Sequence, residues 1–223
     1  MPTPSEQRRF PRYPIQLPLL HMAIAPAHSI MGAGWTRSLS EGGATVELAE
    51  RLRPQTALRV RLQTDRGPIE AEARVAWIGG RAPEGGGILH GVAFTQIAPE
   101  SLRALRDLIL PLAMRRHAGI RLPLDLAVTC KPTHPPGAPL SGRTGNVNRG
   151  GLFLRVPRLL PPGTRLEVTL HTAKAPLTVE GTVVWVEPPE IWKPGESIGH
   201  GFQFAAPSWS TMLSLGLLLA EPE

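Results

Sequence analysis

The chain repeats itself once, and that repeat constrains its fold more than any other feature. Arg12 opens the segment Arg-Tyr-Pro-Ile-Gln-Leu-Pro-Leu, and Arg121, 109 residues later, opens Arg-Leu-Pro-Leu-Asp-Leu-Ala-Val. Ser38-Leu-Ser40-Glu-Gly-Gly43 recurs as Asn146-Val-Asn148-Arg-Gly-Gly151 at a spacing of 108. The same spacing of 108 relates Leu52-Arg-Pro-Gln-Thr-Ala-Leu58 to Leu160-Pro-Pro-Gly-Thr-Arg-Leu166, and Ala73-Arg-Val-Ala-Trp77 to Gly181-Thr-Val-Val-Trp185. Gly91-Val-Ala-Phe94 returns as Gly201-Phe-Gln-Phe204 at 110. Five anchors in one order, at a period far longer than that of stacked repeats, describe a duplicated domain rather than a solenoid. A chain of 223 residues gives each copy the size of a small independent domain.

Each copy reads as β-structure. Leu58 to Leu62 and Leu166 to Leu170 alternate apolar and polar residues, as half-buried strands do. Ala44 to Leu48 and Leu152 to Val156 follow Gly-Gly turns, Ile69 to Trp77 and Leu177 to Val186 alternate, and Gly91 to Phe94 and Gly201 to Phe204 close each set. The 23 Gly and 25 Pro punctuate these short runs instead of forming tracts. Strands of this number and spacing predict a small barrel, which leaves no open sheet edge. After the last strand, Pro99 and the leucines at 102, 105 and 108 predict a helix ending near Pro111, with Trp209 to Leu219 as its counterpart. The expected fold class is therefore all-β: two tandem small antiparallel β-barrels, each followed by a C-terminal α-helix, with domains 1–114 and 115–223.

Charge and composition narrow the function. The net charge is +6, and only Lys131, Lys174 and Lys193 of the basic residues are lysine. Arginine is the planar, forked partner for phosphates and base edges. Each half carries +3, with acidic residues interspersed as in Glu70-Ala-Glu-Ala-Arg74, so neither half is strongly basic, as a nucleic-acid binder would be. Cys130 stands alone, which excludes an internal disulfide framework and suits a reducing compartment. The segment before Arg12 has no apolar core behind a basic start, and Pro18, His21, Pro26 and His28 interrupt the apolar stretch 15–31. No secretory leader or membrane span is expected, and the reading is a soluble cytoplasmic protein.

Catalytic patterns are absent or out of context. Gly195-Glu-Ser197-Ile-Gly199 fits the hydrolase pattern G-x-S-x-G, but Lys193-Pro194 precedes it and a strand follows, so it reads as a turn. The seven histidines form no H-x-x-x-H pair and have no cysteine cluster beside them, so no metal is expected. Cys130 reads as a strand residue, and Trp77 and Trp185 read as barrel-core or inter-barrel packing.

Two further elements are specific. Arg8-Arg9-Phe10-Pro11-Arg12 carries R-x-x-x-R, and Ser38-x-Ser40-x-x-Gly43 follows at a strand junction. Together with the strand pattern, they resemble the PilZ domain, whose members carry R-x-x-x-R before the first strand and D/N-x-S-x-x-G after it. The resemblance covers both halves, nearly the whole chain. It implies a non-enzymatic receptor for cyclic di-GMP, bound by Arg8, Arg9, Arg12, Ser38, Ser40 and Gly43. The chemistry fits: the ligand carries two phosphodiesters and two guanines, and arginine forks onto guanine O6 and N7 or onto phosphate. The resemblance also implies an arginine segment that wraps the ligand, and an output through a protein partner in motility, surface polysaccharide or biofilm control.

Both halves depart from the pattern. Ser38 stands where the family has Asp or Asn. In the second half His117 takes the place of the first arginine, Arg116 lies one residue early, and Asn148 replaces the serine. A second site would comprise Arg116, Arg121, Asn146, Asn148 and Gly151, and it reads as degenerate. The alternative function is an adaptor of the same fold that binds no nucleotide and acts by protein–protein contact. A third reading, motivated by the basic balance, is a nucleic-acid binder.

Overall fold

The structure, a computed structural model, describes residues 10–24, 29–83, 86–114, 120–192 and 195–220. The chain divides into two compact units, Met1–Ile120 and Arg121–Glu223. In the first, β1 (Pro18–Ile24), β2 (Ile30–Ser40), β3 (Gly43–Leu48), β4 (Ala57–Thr64), β5 (Gly67–Arg81) and β6 (Ile88–Ile97) form a closed barrel in the order β1-β2-β3-β6-β5-β4. Antiparallel pairing of β1 with β4, Leu19 opposite Leu62, closes the ring. Helix α1 (Pro99–Met114) follows.

The second unit repeats the plan. A two-residue strand β7 (Leu122–Pro123) precedes β8 (Ala127–His134), β9 (Leu140–Asn148), β10 (Gly151–Val156), β11 (Arg165–Leu170), β12 (Leu177–Val186) and β13 (Ile198–Phe204). Pairing of β9 with both β8 and β10 closes the same six-strand ring, and β7 is laid along β9. Helix α2 (Trp209–Ala220) ends this unit. Both units are thus closed six-strand antiparallel barrels with a helix at the C-terminal end.

Alternation sets the cores. On β4, Leu58, Val60 and Leu62 point inward; on β11, Leu166, Val168 and Leu170 do the same. In the first barrel they meet Leu17, Leu19, Leu39, Val46, Leu48, Val75 and Val92, and Leu105 and Ile109 of α1 join the cluster. Each such side chain contributes about 1.5–3 kcal/mol by leaving water. On α2, Met212, Leu215 and Leu219 are the large buried residues. Cys130 is buried on β8, and desolvation pushes its thiol up to about 12, as expected of a packed strand residue.

Two expectations are corrected. Helix α1 runs through Pro111 to Met114. Proline lacks an N–H, so it removes one hydrogen bond near the helix end without abolishing the last turn. Trp77 and Trp185 are not core residues: each is 43 % exposed, on the outer face of its barrel. The segment Gly195–Ser197 is a turn leading into β13, as its sequence context indicates. No described helix is long and apolar enough to cross a membrane.

Candidate functional site

The second element sits on the β2–β3 hairpin. Ser38 and Ser40 end β2, and Gly43 starts β3. The Ser40 hydroxyl is buried and donates to the Gly43 carbonyl at 3.0 Å, so it braces the turn. Gly43 has φ +153°, and a β-carbon there would overlap the Val92 carbonyl of β6. Only glycine permits this close crossing. Gly151 repeats it against the Phe202 carbonyl.

A buried threonine fixes the segment that carries the arginines. Thr36 Oγ1 accepts from Leu17 N at 2.8 Å and donates to the Ile15 carbonyl at 2.6 Å. Tyr13 bridges Leu39 in both directions at 2.9 Å. Further back, Phe10 lies on the turn: a β-carbon at Gly42 would meet its ring at 2.6 Å. The described part of the first element, Phe10 to Arg12, thereby lies beside the second. Thr144 performs the same task in the second barrel, bonding Leu126 N and the Leu124 carbonyl.

Arg12, held by this segment, donates from Nη1 to Thr45 Oγ1 at 3.0 Å. Arg12, Pro14, Ser38, Thr45 and Trp77 line a recess of about 340 Å³ on the barrel's outer face. The strand register explains the assembly. Ser38 on β2 lies opposite Thr45 on β3, Thr45 opposite Gly91 on β6, and Gly91 opposite Trp77 on β5. Gly91 presents no side chain, so the Trp77 indole leans across it toward Thr45; a β-carbon there would overlap Nε1. The recess therefore combines a guanidinium, two hydroxyls and an exposed indole: a charge for a phosphate or base edge and a flat face for a ring. Arg8 and Arg9 lie outside the described residues.

The flanking charges are engaged elsewhere. Arg37 pairs with the buried Glu47 at 3.0 Å, and Glu47 also accepts from Gly87 N at 2.9 Å. Glu41, inside the turn, pairs with Arg106 of α1 at 2.9 Å. A larger recess of about 520 Å³, lined by Leu20, Met22, Met31, Arg59, Arg61 and Glu70 among others, includes no residue of either sequence element. Among the described residues no cluster of His, Cys, Asp or Glu fits a metal ion.

The second barrel keeps part of the arrangement. Arg121 Nη1 donates to Asn146 Oδ1 at 3.3 Å, so its arginine and its first polar position do meet. Asn148 Oδ1 accepts from Gly150 N at 2.9 Å, a turn-bracing role like that of Ser40. Arg116 and His117 lie outside the described residues. At the position of Thr45 stands Phe153, whose ring stacks on Trp185 with centroids 5.8 Å apart and planes at 22°. The Arg155 guanidinium lies over the Phe153 ring, 5.1 Å from its centroid.

Sequence reasoning missed three parts: the Thr36/Thr144 anchors, the place of Trp77 in the recess, and a pair of buried histidines. His90 Nε2 accepts from Leu52 N at 3.1 Å while Nδ1 faces the Ile88 carbonyl at 3.0 Å; His200 repeats this with Leu160 N and the Ile198 carbonyl. Each ring is thus neutral with the proton on Nδ1, and burial lowers both pKa values. Their signal was a His directly before Gly91 and Gly201, two anchors of the repeat.

The PilZ domain family model matches the chain twice, over residues 6–110 and 115–215. The chain therefore belongs to the PilZ domain family. Over 96 residues it is 36 % identical to the serine/threonine-protein kinase Pkn1 of Myxococcus xanthus, a match covering 41 % of this chain and 13 % of that protein. Among solved structures it is similar to the PilZ domain with c-di-GMP of YcgR from Escherichia coli: 19 % identity, TM-score 0.40, covering 48 % of this chain and 92 % of that one. It is also similar to the MrkH–c-di-GMP complex of K. pneumonia: 15 % identity, TM-score 0.38, covering 90 % of this chain and 85 % of that one.

Proposed function

We propose that this protein is a non-enzymatic receptor for cyclic di-GMP, and that the N-terminal barrel is the one that binds. The observation that carries the reading is the recess in which Arg12, Ser38 and Thr45 face the exposed indole of Trp77. Membership of the PilZ family supplies the ligand class. Arg12 pairs with a phosphodiester or forks onto guanine O6 and N7, and the indole offers a stacking face. Arg8 and Arg9, directly before Phe10 in the sequence, complete the basic segment that closes over the ligand. Ser40 and Gly43 hold the turn in shape beside the ligand, the Ser40 hydroxyl donating to the Gly43 carbonyl. The bound state is read by a protein partner in the cytoplasm, with residues 1–114 as the sensing part and the second barrel in a structural role.

Equilibrium binding of cyclic di-GMP to the full chain, compared with Arg8→Ala/Arg12→Ala, tests this. Removing both guanidinium groups should weaken binding by roughly 25-fold or more, at about 5- to 150-fold for each arginine. Equal affinity in the double variant would overturn the proposed site. Wild-type protein that takes up no ligand at high micromolar concentration would instead leave the adaptor reading.

A further inference from the structure

On their outer faces the two barrels carry the same glycine and tryptophan but different residues beside them. On the outer face, the row Ser38–Thr45–Gly91–Trp77 of the first barrel corresponds to Asn146–Phe153–Gly201–Trp185 in the second. Both tryptophans lean over their glycine, and both remain 43 % exposed. Thr45 is short, so the Trp77 face and Arg12 border an open recess. Phe153 fills the corresponding space with its own ring, stacked on Trp185.

The seat of that ring is built. A β-carbon at Gly145 would meet Phe153 Cδ1 at 2.7 Å, and one at Gly199 would overlap the Glu187 carboxylate and meet Phe153 Cζ at 2.5 Å. In the first barrel the repeat places Arg37 and Leu89 at those positions. There Arg37 reaches across to the buried Glu47, where the second barrel has Arg155, whose guanidinium instead covers Phe153. The ion pair of one copy is replaced in the other by a glycine-lined aromatic stack.

The geometry points to Phe153 as the residue that closes the second copy of the binding site, an intramolecular ring occupying the face on which a ligand ring would lie. This rests on the receptor reading of the first barrel and deepens it: specificity for one barrel is set by Thr45 against Phe153, beyond the loss of the first arginine at His117. An aromatic stack already in place must be broken before a base can use the indole, whereas the Trp77 face needs no such step.

The test uses the full chain and the indole N–H resonances of Trp77 and Trp185, assigned by Trp77→Phe and Trp185→Phe, during titration with cyclic di-GMP. His117→Arg restores the arginine spacing alone; His117→Arg/Phe153→Thr also removes the ring. The expected result is a Trp77 response in every protein and a Trp185 response only in the double variant, at ligand concentrations within roughly 100-fold of those that titrate Trp77. A Trp185 response in His117→Arg alone, or none in the folded double variant, would overturn the role of Phe153. A silent Trp77 in wild type that takes up ligand would overturn the recess as the binding place, and no uptake by wild type would overturn the receptor reading itself. The ligand-free spectrum checks the stack independently: Phe153→Thr should shift the Trp185 resonance by loss of the ring current and leave Trp77 in place, and an unmoved Trp185 would contradict the stack.

Discussion

Trp77 lies across Gly91, two residues paired on neighbouring strands, and the absence of a side chain at Gly91 is what lets the indole border the recess beside Arg12. Gly91→Ala puts a methyl group where the indole Nε1 now sits, so the ring must swing away. The expected outcome is weaker cyclic di-GMP binding in a folded protein. Gly201→Ala, at the equivalent position under Trp185, should disturb the Phe153 stack and leave that binding unchanged. Titration of both variants beside wild type checks the pair.

The neutral histidines at 90 and 200 each satisfy a buried backbone N–H, that of Leu52 and Leu160. Replacing His90 with alanine leaves that donor unpaired and opens a small void. A loss of about 2–4 kcal/mol in unfolding free energy is expected, with His200→Ala costing a similar amount. Denaturant unfolding of the single variants is the check; a loss well under 1 kcal/mol in either would contradict the assigned hydrogen bond.

His21 is only 2 % exposed, neither ring nitrogen has a hydrogen-bond partner among the described residues, and Glu50 Oε2 lies 3.6 Å away. Burial first, and the nearby His90 second, lower its pKa from 6.5 to about 4. The folded state therefore holds fewer protons than the unfolded chain between those values. Stability supplied by the neutral ring is complete above pH 6.5 and is lost as pH falls toward 4, by roughly 3 kcal/mol at 1.36 kcal/mol per unit. His90 and His200, also lowered, act with the same sign. His21→Leu should flatten the fall in stability between pH 6.5 and 4. An equally steep fall in that variant would contradict the assignment.

Gln55 adopts φ +70° at the place where the repeat puts Gly163 at φ +92°. Both donate their backbone N–H to a strand carbonyl, Gln55 to Val75 and Gly163 to Val183, so the turn is the same. A side chain in this region costs about 1 kcal/mol. Gln55→Gly should accordingly raise the unfolding free energy by roughly 0.5–1 kcal/mol, with ligand binding unchanged; a destabilised variant would show that the Gln55 side chain matters more than its backbone.

Much of this architecture was legible because the repeat reports twice on every strand. Period-two runs such as Leu58–Leu62 and Leu166–Leu170 marked barrel walls in both copies, and the Gly-Gly turns marked the hairpin at the candidate site. Strand β1 was not legible as a strand: Pro18 and His21 interrupt its pattern, and only the barrel interior reveals that His21 points inward beside Leu19 and Ala23. The helix end at Pro111 misled because proline removes only one backbone hydrogen bond, and α1 continues to Met114. Trp77 misled for a different reason. A large aromatic in a strand usually packs inward, and its outward lean depends on Gly91, a residue paired with it only in three dimensions. Thr36 and Thr144 share the same blindness: their hydroxyls matter because the approach segment folds back onto the following strand, which no local pattern records.

In the proposed receptor one barrel of the two binds cyclic di-GMP, through the segment bearing Arg12. The most direct measurement is a calorimetric titration of the ligand into wild type, Arg12→Ala and Arg121→Ala. Binding should weaken about 5- to 150-fold in Arg12→Ala and stay unchanged in Arg121→Ala. Binding unchanged by Arg12→Ala, or weakened by Arg121→Ala alone, would contradict it.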